Sequence, residues 1–302
     1  VSPILGIIAS AMRAAVTFVY TAGGLDNNTA ARTTTVEKIK SSDDTISTLS
    51  ATLSSARYIV AGVSSTTNGY TCGGGTNSGG TPTIEKFLFS NDTRTTLGTG
   101  LSVNSSEPAS FSSSTDGYIA GGRTDGSTVD KLLFSADTRT TLGTGLSSNR
   151  GQSSGFESST NGYIAGGETT GGNVTTIDKF LFSTDARSTL GTGLTTATRL
   201  GSSQGLNSST AGYYLGGYTT SGTNVIQKCV FSTDTISTIT ATTNGGLYGR
   251  AGGSTANHGY VGGGQTPRTA SIDKLVFSTE VRTTLSATLY VALFGPGGFY
   301  SR

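Results

Sequence analysis

Hydrophobic and polar positions in this chain follow a period of two in short runs. In Ile177-Asp178-Lys179-Phe180-Leu181-Phe182, Phe180 and Phe182 share one face with Asp178, while Ile177, Lys179 and Leu181 share the other. Apolar groups on both faces predict a strand packed between two neighbours. Upstream, residues 153–160 are small and polar around Phe156, and Gly162-Tyr163-Ile164-Ala165-Gly166-Gly167 follows. A turn-rich loop through Thr169, Thr170, Gly171, Gly172 and Asn173 leads into the apolar strand, and Ser188-Thr189-Leu190 closes the unit. The pattern predicts four short strands joined by hairpins, with residues 191–194 linking to the next unit.

This block occurs six times. Its tyrosines are Tyr20, Tyr70, Tyr118, Tyr163, Tyr213 and Tyr260, spaced by 50, 48, 45, 50 and 47 residues. A glycine pair follows each, from Gly23-Gly24 to Gly262-Gly263, and then an aliphatic, a Glu, Asp or Gln, and a lysine: Lys38, Lys86, Lys131, Lys179, Lys228 and Lys274. Such a period belongs to repeat architectures, in which neighbouring units bury one another's faces. The predicted fold is all-β, a six-bladed β-propeller of four-stranded antiparallel blades over residues 17–302. The repeated lysine is expected to tie one blade to the next. The first unit has no room for an innermost strand, and residues 292–300 fall where a seventh first strand would begin. A C-terminal strand is therefore expected to complete the first blade and remove the ring's open edge. Residues 1–16 form a separate apolar tail, with Ile4, Leu5, Ile7 and Ile8 as its docking side chains. It lacks the basic start of a secretory signal and is read as retained.

Composition narrows the function classes. With 41 Ser, 54 Thr and 45 Gly, and only 13% charged residues, an aperiodic chain would read as disordered. Here it fits short strands whose exposed hydroxyls replace the usual charged surface. A net charge of +2 without a basic run argues against nucleic acid. No apolar run approaches the ~18 residues of a membrane span. Cys72 and Cys229 lie in distant units, beyond the ~4.4–6.8 Å Cα separation of a disulfide, and are expected to be buried free thiols. The single histidine, His258, sits at a turn between Asn257 and Gly259, which leaves no basis for a zinc site or a Ser-His-Asp triad. Arg94, Arg139, Arg187 and Arg282 occupy one place in four blades, spread around the rim rather than converging. No metal or cofactor is expected, and the chain is read as non-enzymatic. Glu168 and Asp125, on equivalent loops, are the pair a glycan hydrolase would use, the weakest alternative.

The loops after the glycine pairs are what the six units vary, and they share one side of the disc. Recognition concentrates on such loops. The candidate ligand- or partner-binding residues are Asp26, Asn28, Asn77, Arg123, Asp125, Glu168, Tyr218, Gln265 and Arg268. They suit sugar hydroxyls, with Tyr218 as the stacking candidate.

A hydrophobic strand ending in Gly-Gly once per repeat resembles the kelch repeat of β-propellers, across residues 17–302, although the chain has no Trp. Ser90-x-Asp92-x-Arg94-x-x-Leu97, and its counterparts from Ser135 and Ser183, are similar in spacing to the Asp-box of sialidase-type propellers. Asp92 is expected to cap that turn through backbone N–H groups. The opening Ser2-Pro3-Ile4-Leu5-Gly6-Ile7-Ile8-Ala9-Ser10 resembles the start of virion-associated proteins of cyanobacterial phages, often tail or fibre components. That resemblance implies a structural protein on the particle surface. Its partners would be other virion proteins, docked through the tail, and a host-surface glycan; a free lectin-like propeller is the alternative.

Overall fold

In the second unit, strands Ala61–Ser64, Asn68–Cys72, Ile84–Leu88 and Thr93–Thr96 hydrogen-bond in that order into an antiparallel sheet. The computed structural model describes residues 17–26, 29–123, 126–201, 204–265 and 267–301. Within them six four-stranded sheets form a six-bladed β-propeller, and their first strands contact one another around the axis. The docking residues Ile4, Leu5, Ile7 and Ile8, together with Asn28 and Asp125, lie outside the described residues.

The ring closes as the sequence requires. Gly297–Tyr300 pairs antiparallel with Phe18–Ala22, placing Tyr20 opposite Phe299, so the first blade is built from both ends of the chain. Phe299 is fully buried and stacks on Tyr20 with centroids 4.8 Å apart.

There is no single core. Six clusters of buried side chains form, one between each pair of adjacent blades. The glycine before the tyrosine is what lets the blades approach. At Gly162 a Cβ would overlap the ring of Phe111, which projects from the preceding blade, and at Gly117 it would lie 2.5 Å from Val63 Cγ2. The first unit breaks the pattern with Val19, and the sixth blade compensates. It carries Gly253 at the position of Phe111, and a Cβ there would lie 2.6 Å from Val19 Cγ1. Large and small have changed places across this one interface.

Each repeated lysine reaches the 3–4 turn of the following blade. Lys38–Asp92, Lys86–Asp137, Lys131–Asp185, Lys179–Asp234, Lys228–Glu280 and Lys274–Asp44 pair at 2.5–2.9 Å. The repeat tyrosine donates its hydroxyl to the same carboxylate, as Tyr118 does to Asp185 at 2.7 Å. Burial first, and then the carboxylate, pushes these phenols well above their ordinary range; Tyr213, against Glu280, rises to about 12. All six acidic residues have φ between 53° and 58°. This corrects the expectation that Asp92 caps its own turn. Its neighbour does so, with Thr93 N–H donating to Asn91 Oδ1 at 3.1 Å, while the left-handed backbone points Asp92 across the interface. The glycine pair of the sixth unit is corrected too: Gly263 and Gly264 have the positive φ seen at the other pairs.

Three buried arginines enter from the linkers before blades two, four and six. Arg57, Arg150 and Arg250 pair with Glu85, Asp178 and Asp273, the residues preceding the repeat lysines. Blade one has no such arginine. There Glu37 Oε1 accepts the Tyr290 N–H at 2.7 Å, and the buried Oε2 has no partner.

Candidate functional site

The strand order gives the disc two unlike faces. Turns between first and second strands, and between third and fourth, lie on one face. The 2–3 loops and the linkers between blades lie on the other, so the described members of the predicted set (Asp26, Asn77, Arg123, Glu168, Tyr218, Gln265 and Arg268) share that loop face.

At the centre of the loop face, each linker turns into its inner strand through a residue with positive φ: Ile59, Glu107, Gln152, Leu200, Gly249 and Gly295. Their amides form a chain around the axis. Gln152 N–H donates to Glu107 O at 3.1 Å, Leu200 to Gln152 at 2.8 Å, Gly249 to Leu200 at 2.6 Å and Gly295 to Gly249 at 2.8 Å, and Ile59 donates to Gly295 O. Backbone groups that would be orphaned at the hub are thereby paired. Of these six positions, Glu107 and Gln152 are the ones with polar side chains. They touch, with Gln152 Nε2 donating to Glu107 Oε2 at 2.6 Å.

Beside that pair lies a cleft of about 330 Å³ between the third and fourth blades. Its wall includes Arg123, Asn149, Gln152, Glu168, Thr169 and Thr170. Arg123 Nε stands 3.8 Å from Glu107 Oε2, and its side chain is 64% exposed. Glu168 is ion-paired with Arg199. Beneath the cleft, Arg150 Nη2 is 3.1 Å from Asp178 Oδ2, and Asp178 also takes the Ser147 N–H at 2.8 Å. Burial pushes the Asp178 carboxyl up, but the Ser147 amide, Arg150 and Thr189 outweigh it and hold the group below the ordinary range. The floor is a fixed ion pair.

From Glu168 the contacts continue as an arc. Arg199 lies over the Tyr218 ring at 5.1 Å, and Tyr218 meets Tyr248 edge-on at 5.0 Å. Tyr248 meets Phe294 at 5.8 Å, and Phe294 lies 6.2 Å from Tyr58. Arg32 covers Tyr58 at 4.9 Å and bonds Asn77. Asn77, Tyr218, Glu168 and Arg123 thus belong to one continuous surface. Asp26 and Arg268 meet each other beside the strand of Phe294, Arg268 Nη1 donating to Asp26 O at 3.0 Å. Gln265 joins the linker strand of Tyr248 through its backbone. Asn149, Gln152, Arg199, Tyr58, Tyr248 and Phe294 were not singled out from sequence. All belong to linkers, where positions recur but residue types vary, although an aromatic directly before glycine in Tyr248-Gly249 and Phe294-Gly295 is a usable signal.

The opposite face has its own hollow of about 360 Å³ over the axis, with Thr17, Glu157, Asn207 and Tyr300 in its wall. Tyr300 Oη donates to Glu157 Oε1 at 2.5 Å and accepts from Asn207 Nδ2 at 3.1 Å. Around it, inner-strand amides use acceptors from the next blade, such as Ser64 N–H on Ser112 Oγ at 3.0 Å and Asn207 N–H on Ser254 Oγ at 2.8 Å. The first described residue, Thr17, sits on this face, its carbonyl accepting from Ser41 N–H.

The remaining sequence candidates resolve simply. Cys72 and Cys229 are buried free thiols, pushed by burial up to about 12. His258 opens a strand with its amide on Thr255 Oγ1, and burial lowers its pKa. Arg94, Arg139, Arg187 and Arg282 stay on the rim, each beside its own blade's third-strand carboxylate. Among the described residues no three His, Cys, Asp or Glu side chains are grouped closely enough to hold a metal ion, and no helix is long and apolar enough to cross a membrane.

The architecture defines the chain as a six-bladed β-propeller with a polar cleft and an aromatic arc on its loop face. No protein-family model matches the chain, and no curated protein matches it.

Proposed function

We propose that this protein is a non-enzymatic, kelch-like propeller carried on a bacteriophage particle, docked through its N-terminal segment and presenting its loop face for assembly or host-surface attachment. One observation carries the reading: the chain enters the ring at Thr17 on the turn face, opposite the variable loops. A docking segment joined to the ring at that side would leave the loop face free to meet a partner. The opening segment's resemblance to phage virion proteins supplies the particle, and the rigid ring suits loops that vary independently.

Hydrolysis has the least support, since Glu168 is held by Arg199. The test is deletion of residues 1–12. The shortened chain is expected to fold, by circular dichroism and cooperative melting, yet be missing from purified particles. Incorporation at the full-length level refutes the docking role.

A further inference from the structure

We propose that the cleft between the third and fourth blades binds one hydroxyl-rich sugar ring of a glycan, with Arg123 and Gln152 among the groups that read it. This rests on the loop face being the presented one.

The hub itself argues for a polar ligand. Of its six positive-φ positions, four carry glycine or an aliphatic: Ile59, Leu200, Gly249 and Gly295. At these four positions the loop-face ring closes without polar side chains. Blades three and four nevertheless place Glu107 and Gln152 there, 4% and 6% exposed, at φ values of 63° and 59°. Burying polar groups in a conformation that favours glycine is unfavourable twice over, a combination associated with binding sites.

The chemistry of the cleft then selects the ligand. Glu107 accepts the Gln152 Nε2–H, which orients the amide and leaves buried Oε1 an acceptor without a donor. Arg123 offers exposed N–H donors, Glu168 acceptors, and Asn149 both. Among the described residues the charges come in opposed pairs, Arg123 with Glu107 and Arg199 with Glu168, and leave little net field to select a small ion. Interleaved donors and acceptors fit hydroxyls, which act as both. About 330 Å³ is the small end of ligand pockets and holds one ring rather than a chain. Tyr218, joined to the cleft through Arg199, offers an apolar surface to the next ring.

The full-length protein is screened against immobilised neutral and acidic oligosaccharides, and the strongest binder is then titrated calorimetrically. Saturable binding is expected. Thr170→Trp, which fills the cleft from an exposed loop position, should abolish it. Arg123→Ala should weaken it about tenfold, the loss of one or two hydrogen bonds. Thr66→Ala, in an exposed turn of the opposite face, should leave it within about twofold. All variants are first required to melt like the parent. Absence of binding to every oligosaccharide overturns the proposal, as does binding unchanged by both Thr170→Trp and Arg123→Ala. Particle incorporation of the same variants keeps the two readings separate. Glycan binding without incorporation sinks the particle role alone, and incorporation without glycan binding sinks the cleft alone.

Discussion

Replacing Val19 or Gly253 probes the interface that joins the two ends of the ring. Val19 is 2% exposed, opposite Tyr300 in the sheet. Val19→Ala removes two methyl groups at roughly 0.8 kcal/mol each and leaves a cavity, for a loss of about 2 kcal/mol. Gly253→Ala puts a Cβ 2.6 Å from Val19 Cγ1, whereas carbon atoms pack at ~3.5–4.0 Å. Relief requires about 1 Å of movement in a packed wedge. Overpacking of this kind costs about 1–3 kcal/mol, offset by roughly 0.4–1 kcal/mol from the stiffer unfolded chain. In the double variant the new methyl occupies the space Cγ1 has left. It should therefore be about 1–2 kcal/mol more stable than the sum of the single effects. Urea unfolding followed by tyrosine fluorescence measures this, since the chain has 12 Tyr and no Trp. The comparison requires an unchanged slope with denaturant. Additivity within about 0.5 kcal/mol would refute the exchange of large and small across this interface.

Two further perturbations follow from the buried charges. The Glu37 pKa is raised by burial, against the pull of the Tyr290 N–H, so the fold favours its neutral form. Its contribution is complete below the unfolded value of about 4.3 and is lost as pH rises through the folded one. Glu37→Gln should therefore be more stable than the parent at pH 7, with the gap closing towards about pH 4; thermal melts showing a pH-independent difference would contradict this. Arg150→Met strands Asp178, and breaking such a buried pair costs about 3–5 kcal/mol. Arg150→Met with Asp178→Asn should recover part of that loss in the same urea assay, and no recovery would mean that the ion pair is not what holds the cleft floor.

What the sequence made legible was whatever repeats. The tyrosine, the glycine pair and the lysine recur because every interface demands the same packing, and the missing first strand of unit one points to closure from residues 292–300, within which the strand is Gly297–Tyr300. Even the exception at Val19 has its answer in Gly253, but that pairing links positions more than two hundred residues apart and needs the ring to be seen. The role of Asp92 is not legible in the local pattern because it depends on φ, which turns the side chain away from its own hairpin. The loop face was located, and four of its predicted residues share one surface. Its most specific features, Gln152, Asn149 and the linker aromatics, come from segments whose residue types vary, where position is set by the hub rather than by local pattern.

Closure of the ring from both chain ends, on the face away from the loops, underlies everything proposed here. Phe18 N–H donates to Ser301 Oγ at 2.7 Å, so the two ends can be joined by a short turn like those of the other blades. The measurement is the urea midpoint of a circular permutant with Ser301 joined to Thr17 through about three residues and new ends between Ser286 and Ala287. A single cooperative transition at the parental midpoint is predicted. A permutant that is unfolded, or that melts in separate steps while the parent melts in one, would contradict the closed ring.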